Sequence, residues 1–534
     1  VLAGTRLGPA GHPAAVASVP AWPGATGAPV PPQLRPFRWF TPALLVILTG
    51  YMFFGRSFAY VGIPGTSIFI GEMVFALGVI EAVKARRVIR ARFVMSPPFR
   101  VLAVFIALCA IRLLVDLPKY RMGAVRDAAI GYYPIYAFLV AAAVMTDPGF
   151  VHRLLRWYVR VFPFFLLWVP FSVVLSKDKA LSSTTVLGSS TPINTFVNPV
   201  TAVLTAMALT FLWLGLRTQA GKRTERRTAE LFVILGILGL LMLWSQARTA
   251  LLTVTIVCGI TLLFVGAPRR RYVLLHAFGS IALLVAIALM LNLHANVGGR
   301  QVSVGQATTN ILSLVNKKSG GNEEAKSGLQ GTVSWRKQYE EKIIKDSLVW
   351  KHAFTGQGFG PVLSRKYALG SAQAAGAEPL RNAHNSYVTI LARTGLPGLG
   401  LWILMWIAWF RYVGGLARTR RRGNRLLPAT LAAWLVAGVA GFMTAALSDP
   451  TFEGPQGAIW AWTLVGLGAA ETAVFYRRPG RGEDSFGVPR RPATAPDSVP
   501  ADTAGVAGAH VNGAPVASPA PAAVQAQADV TGAV

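Results

Sequence analysis

Apolar runs broken by short basic segments fill the chain from about residue 40 to residue 475. A helix needs about 20 mostly apolar residues to cross the hydrocarbon of a bilayer. Runs of that kind fall near 40–55, 62–81, 99–115, 128–145, 160–175, 194–215, 231–247, 249–266, 272–293, 386–410, 427–447 and 457–475. The pattern predicts an all-α integral membrane protein with about 12 transmembrane helices. Ser245-Gln246-Ala247-Arg248 forms a tight turn between the seventh and eighth runs. Residues 294–385, between the ninth and tenth, make the one long inter-helix segment and read as a loop domain. It begins rich in Gly, Ser and Asn, then predicts a helix from Ser334 to about His352. There Trp335, Tyr339 and Ile343 recur every four residues, and Ile344 and Leu348 widen the same face. The turn Thr355-Gly356-Gln357-Gly358-Phe359-Gly360-Pro361 follows it.

Residues 1–34 and 477–534 are rich in Ala, Pro, Gly and Val and read as disordered tails. The expected layout is therefore helices 1–9 within 35–293, a cap over 294–385, and helices 10–12 within 386–476.

Charge changes the picture by where it lies. The chain carries 52 Lys+Arg against 22 Asp+Glu, a net +30. In a soluble protein this excess would point to nucleic acid. With 53% hydrophobic and 14% charged residues the chain is not of that class, since soluble domains carry about 25% charged residues. The basic residues sit in alternate loops: Lys84 to Arg92, Arg153 and Arg156, Lys222 to Arg227, Arg269 to Arg271, and Arg418 to Arg425, with Arg477, Arg478 and Arg481 after the last run. Cytoplasmic loops concentrate such residues. Both termini are thus expected in the cytoplasm, the loop 294–385 outside, and the chain in the cytoplasmic membrane among its lipids, with no nucleic-acid partner. The outer loop remains net positive, with twelve basic and six acidic residues, which suits an anionic substrate. Cys109 and Cys258 are isolated in apolar runs and read as small buried hydrophobes. No metal-binding or cofactor-binding motif stands out, so neither metal nor cofactor is expected.

A few polar residues at the outer boundary can carry chemistry. His384 opens the tenth run. It is either a general base, kept neutral by the positive end of a helix, or a helix-capping residue. Arg248, at the outer end of a helical hairpin, either grips phosphate oxygens with its planar fork or reaches to lipid head groups. Arg336 stands four residues before Glu340, so an exposed ion pair competes with a binding role. Arg126-Asp127 reads as a structural pair, and Arg112 as a residue reaching to the head groups.

Taken together these motifs resemble the family of O-antigen ligases and O-antigen polymerases. The resemblance rests on Ser245-Gln246-Ala247-Arg248-Thr249-Ala250, on Arg336 ahead of Thr355-Gly356-Gln357-Gly358-Phe359-Gly360, on His384-Asn385-Ser386-Tyr387, and on Thr394-Gly395-Leu396-Pro397-Gly398-Leu399. It covers roughly residues 200–410. It implies a helical membrane bundle with an extracytoplasmic cap, acting on a polyprenyl-diphosphate-linked glycan donor and a glycan acceptor. The reaction it implies is metal-independent and inverting. On this resemblance His384 is the catalytic residue, and Arg248, Arg336 and Asn385 bind substrate. Arg393 departs from the pattern, where members often carry an acidic residue, and that leaves acceptor specificity open. The competing expectation is a transporter or flippase for a lipid-linked or anionic substrate. Transporters bind near the bilayer midplane on broken helices, and Pro64, Pro134, Pro170 and Pro397 leave room for such breaks.

Overall fold

The structure, a computed structural model, describes residues 36–64, 66, 68–147, 149–175, 184–186, 193, 198–216, 226–246, 248–265, 270–271, 273–275, 278–279, 282, 295–297, 300–302, 323–367, 381–418 and 426–476. Both expected tails and most of the expected ninth span lie outside these residues.

The bundle begins with α1 (Phe40–Ala59), α2 (Ile70–Lys84), α3 (Arg86–Arg92), α4 (Pro97–Tyr120), α5 (Met122–Asp127), α6 (Ala129–Tyr132), α7 (Ile135–Thr146) and α8 (Phe150–Leu175). It continues with α9 (Asn198–Trp213), α10 (Arg226–Gln246) and α11 (Arg248–Phe264). Among the described residues, five stretches are long and apolar enough to cross a membrane: Phe40–Ala59, Pro97–Tyr120, Ala129–Thr146, Phe150–Leu175 and Ser386–Arg418. Shorter apolar helices accompany them, at Pro199–Trp213, Glu230–Leu243, Thr249–Phe264 and Ala429–Ala445.

Local chemistry sets the helix ends. Glu81 of α2 accepts from the backbone N–H groups of Trp39 (3.0 Å) and Phe40 (2.9 Å), satisfying donors that the first turn of α1 leaves free. Pro97 and Pro98 open α4, where a missing N–H costs nothing. The second span starts at Ile70 rather than near residue 62. Pro64 biases Ile63 away from helical angles, and Gly62 pairs with Phe69 across a small turn instead. Inside the bundle, indole N–H groups tie helices to one another: Trp434 donates to the Met207 carbonyl (2.9 Å) and Trp460 to that of Leu48 (3.1 Å).

After a short antiparallel hairpin of β1 (Ala295–Val297) and β2 (Arg300–Val302) come α12 (Glu323–Leu348), α13 (Trp350–Ala353) and α14 (Leu363–Tyr367). The hairpin is the exception to the all-helical expectation among the described residues. The cap helix starts at Glu323 rather than Ser334. Tyr339 and Ile343 are buried against Leu363, Tyr367, Ala383, Val388 and Ala392, with Ile344 at the edge. Leu348 does not join them: it lies at the last residue of the helix and is exposed.

The chain then returns through α15 (Ser386–Arg418), α16 (Leu426–Ala445) and α17 (Pro455–Tyr476). Trp409 of α15 donates to the Val465 carbonyl of α17 (3.0 Å). The expected single run at 386–410 is in fact two helical pieces. Gly395 breaks it at φ 69°, ψ −169°. A side chain there would meet the Ala353 carbonyl oxygen at 2.6 Å, and the left-handed φ already favours glycine. The first piece, 386–394, is what presents His384.

Candidate functional site

His384 precedes α15 with a φ of 54°, sparsely populated for a non-glycine residue. Its neighbours hold it there. The His384 N–H donates to Asn382 Oδ1 (3.2 Å), the Tyr339 hydroxyl donates to the Asn382 carbonyl (3.2 Å), and the Ala383 N–H donates to Thr389 Oγ1 (3.2 Å). The helix cap is Asn385, not His384: its Oδ1 accepts from the N–H groups of Tyr387 (3.0 Å) and Val388 (3.3 Å). The Asn385 amide nitrogen reaches Glu340 Oε2 at 3.4 Å. Both ends of the Asn385 side chain are therefore engaged within the protein, and the imidazole is released from capping.

Three segments that the sequence singles out meet at one turn. Ser386 donates through its backbone to the Ala446 carbonyl (2.9 Å) and through its hydroxyl to that of Asp449 (3.4 Å). Arg336 of α12 donates to the Ser448 carbonyl (3.4 Å). The Ser448 hydroxyl donates to Thr249 Oγ1 (2.8 Å), one residue beyond Arg248 at the start of α11. The turn after α16 thus gathers the Arg248 helix, the Arg336 side chain and the His384 segment.

The electrostatics follow from burial and from two arginines. Burial lowers the His384 pKa to about 4, helped by the charges of Arg336 and Arg56. The imidazole is neutral near pH 7, as expected, but burial and these cations do what was assigned to the helix dipole. Burial raises the Asp449 pKa to about 6, against the pull of the same Arg336 and Arg56. Burial also raises Glu453 to about 8, opposed by a hydrogen bond from Thr389 and the charge of Arg393. Glu340 is raised by burial, opposed by Asn385 and Arg336. Glu340 thus accepts from Asn385, while Arg336 reaches the turn rather than closing the expected exposed ion pair.

Arg56, Asp449 and Glu453 are members of this neighbourhood that sequence reasoning passed over. Arg56 follows the break in α1 at Gly55 and stacks on Tyr60 with its guanidinium 5.5 Å from the ring centroid. Its Nη2 also donates to the Tyr60 hydroxyl (3.1 Å). Acidic residues between two apolar helices are costly and tend to be functional, which was the available signal for Asp449 and Glu453.

A second polar cluster holds the cap down. Asp127 pairs with Arg381 (2.8 Å) and Arg393 (2.9 Å), not with its neighbour Arg126. Its Oδ2 also accepts from the Gly360 N–H (2.8 Å). Arg393 is 1% exposed. It donates to the carbonyls of Gly358 (3.0 Å), Pro361 (2.8 Å) and Arg381 (2.7 Å). Arg112, expected to reach to the head groups, pairs with Asp116 (2.8 Å), whose Oδ2 accepts from the Phe359 N–H (2.7 Å). Gly358 sits over that pair at φ 82°, where an added Cβ would lie 2.2 Å from Arg112 Nη2. The Gly-rich turn is thus a docking element, and the departure at Arg393 is a structural one.

Residues 231–403 match the O-antigen ligase family model. The resemblance read from the motifs is thereby found independently. The O-antigen ligase match begins in α10, takes in Arg248, Arg336, His384 and Asn385, and ends in α15. Asp449 and Arg56 lie outside the O-antigen ligase match. No curated protein matches the chain. Among the described residues no group of three His, Cys, Asp or Glu side chains could hold a metal ion.

Proposed function

We propose that this protein transfers a glycan from a polyprenyl-diphosphate-linked oligosaccharide to an acceptor hydroxyl at the outer face of the cytoplasmic membrane, as a polysaccharide polymerase. The bundle crosses the membrane twelve times, with both termini cytoplasmic and the loop 294–385 outside. The observation that carries the reading is the meeting of the Arg248 helix, Arg336 and the His384 segment at the Ser448–Asp449 turn. Neutral His384 takes the proton of the acceptor hydroxyl as its oxygen attacks the anomeric carbon from the face opposite the diphosphate. The bond from that carbon to the phosphate oxygen breaks, and its electron pair leaves with the diphosphate. Arg248 and Arg336 stabilise that departing charge. Fixed guanidinium groups do this without a metal. Asn385 would meet substrate only by exchanging its present contact with Glu340.

The broken helices α1 and α15 also favour the second reading, a transporter or flippase, because transport sites form on interrupted helices. In α15, however, the carbonyls at the break accept from the cap: that of Ala392 from Gln357 (2.7 Å) and that of Arg393 from Gly358 (3.2 Å). A break closed by protein is poorly suited to an ion or substrate. Purified protein in nanodiscs, given a synthetic lipid-linked oligosaccharide, is expected to yield longer glycans and free polyprenyl diphosphate. Movement of the donor across vesicles without new glycosidic bonds would select the transporter instead.

A further inference from the structure

The transfer reading leaves the hydrocarbon part of the donor unassigned. A groove of about 390 Å3 lies on the flank where α15 meets the end of α16. Ile403, Trp406, Ile407, Phe410 and Arg411 line it from α15, together with Tyr387 and Met443. The α15 residues recur every three or four positions and so share one helix face. Ile403 and Ile407 are 47% and 52% exposed, whereas Trp406 is 3% exposed. The Trp406 ring stacks on buried Trp462 at 5.6 Å and 18°, which gives the groove a fixed aromatic floor.

The head of the groove adjoins the chemistry. Tyr387 follows His384 by three residues and belongs to the half-helix that Asn385 caps. Its hydroxyl donates to the Met443 carbonyl (3.1 Å), joining α15 to α16 beside the groove. From Ile403 to Arg411 the helix advances about 12 Å with no charged lining residue until Arg411 itself.

Resting on the transfer reading, we propose that this groove holds the first isoprene units of the donor's polyprenyl chain. The occupant is chosen by continuity. A chain tethered to a diphosphate beside His384 is delivered to the groove at high effective concentration. An untethered phospholipid chain gains no such advantage, and a second copy of the protein would cover a broad face rather than fill a slot. The groove would thus set which lipid carriers are accepted and keep the diphosphate at a fixed height.

The test uses full-length protein in nanodiscs and two donors with the same glycan diphosphate, one on a long polyprenyl chain and one on a short chain of a single isoprene unit, which cannot fill the groove. Ile407→Trp and Ile403→Trp fill the groove, and Ile407→Val is the conservative control. Filling is expected to raise KM for the long-chain donor roughly tenfold, about what two buried methylenes supply, with kcat and short-chain KM little changed. In wild type, a polyprenyl diphosphate with a photoreactive group near its head is expected to label Trp406, Ile407 or Phe410. Equal KM changes for both donors would overturn the proposal. So would equal labelling by a photoreactive phospholipid, which would make the groove an ordinary lipid contact. Photolabelling in wild type decides the matter even where a Trp variant does not fold. If wild type turns over neither donor the transfer reading fails, and selective labelling still reports on the groove.

Discussion

The Ser448 hydroxyl donates to Thr249 Oγ1 across 2.8 Å. The turn that accepts from Arg336 is thereby tied to the helix that Arg248 opens. Two segments distant in the chain, one before and one inside the cap, are fixed against a third. Ser448 itself carries no charge and makes no claim to chemistry. Its place between them brings the scattered motifs together in space.

Donor binding should depend on both arginines. Arg248→Ala and Arg336→Ala are each expected to weaken binding of a polyprenyl-diphosphate donor. Lys at either position should restore it only in part, because it keeps the charge but loses the bidentate fork. Microscale binding with a fluorescent donor reads this directly. Unchanged affinity in both Ala variants would remove the arginines from the diphosphate site.

Topology is open to direct labelling. Single cysteines placed at Ser334 and at Arg418, in a Cys109→Ala, Cys258→Ala background, should report opposite sides of the membrane. An impermeant maleimide on intact cells is expected to reach the first only. Labelling of the Ser334 position only after permeabilisation would invert the orientation derived from the basic loops.

Much of the bundle was legible because membrane helices need long apolar runs, and the described helices long and apolar enough to cross a membrane lie on those runs. The misreadings have physical causes. Pro64 and Gly395 interrupt runs whose composition is apolar throughout, and composition does not register a backbone break. Asp127 was paired with Arg126 by adjacency, yet its true partners arrive from residues more than 250 positions away in the chain. The neighbourhood was legible where motif residues mark it, at His384 and Arg336, whose segments the fold brings to one turn. It was not legible at Arg56 and Asp449, which enter only because α1 and the last inter-helix turn converge on the same space.

The cap anchor predicts a large stability effect far from any reacting atom. Asp127→Ala would strand Arg381, Arg393 and the Gly360 N–H together. Breaking a buried ion pair from one side typically costs about 3–5 kcal/mol. Thermal unfolding in detergent should show a marked drop for Asp127→Ala and little change for Arg126→Ala. Equal effects of the two would restore the adjacent pair as the working contact.

Acid should act on His384 and Asp449 in opposite directions. The folded His384 pKa of about 4 lies below the ordinary value of 6.5. The unfolded chain therefore binds the extra proton between those values, and the stability tied to neutral His384 is lost as pH falls from 6.5 to 4. Asp449 titrates near 6 when folded, above its ordinary 3.8. Its contribution grows as pH falls from 6 towards 3.8 and is lost as pH rises through 6. Relative to wild type, His384→Gln should gain stability on acidification through the first window, and Asp449→Asn should lose its advantage through the second. Parallel melting curves for all three proteins across the range would rule out both assignments.

His384 itself offers the sharpest division between chemistry and structure. The capping role is already filled by Asn385, so removing the imidazole leaves the start of α15 intact. What His384→Ala removes is a buried neutral imidazole near the charges of Arg336 and Arg56. General-base assistance is typically worth about 10²–10⁴-fold in rate. Loss of a cap would instead cost about 1 kcal/mol of stability with little direct effect on turnover. The variant does not relieve the left-handed backbone, since Ala is no freer there than His. His384→Ala is therefore expected to insert, fold and bind donor like wild type while losing most glycan transfer. Asn385→Ala is expected to do the reverse, losing stability first. Single-turnover rates on a lipid-linked oligosaccharide, measured beside melting temperatures, separate the two. A His384→Ala protein that transfers glycan at the wild-type rate would make the imidazole a packing residue and return the search for a base to Asp449 and Glu453.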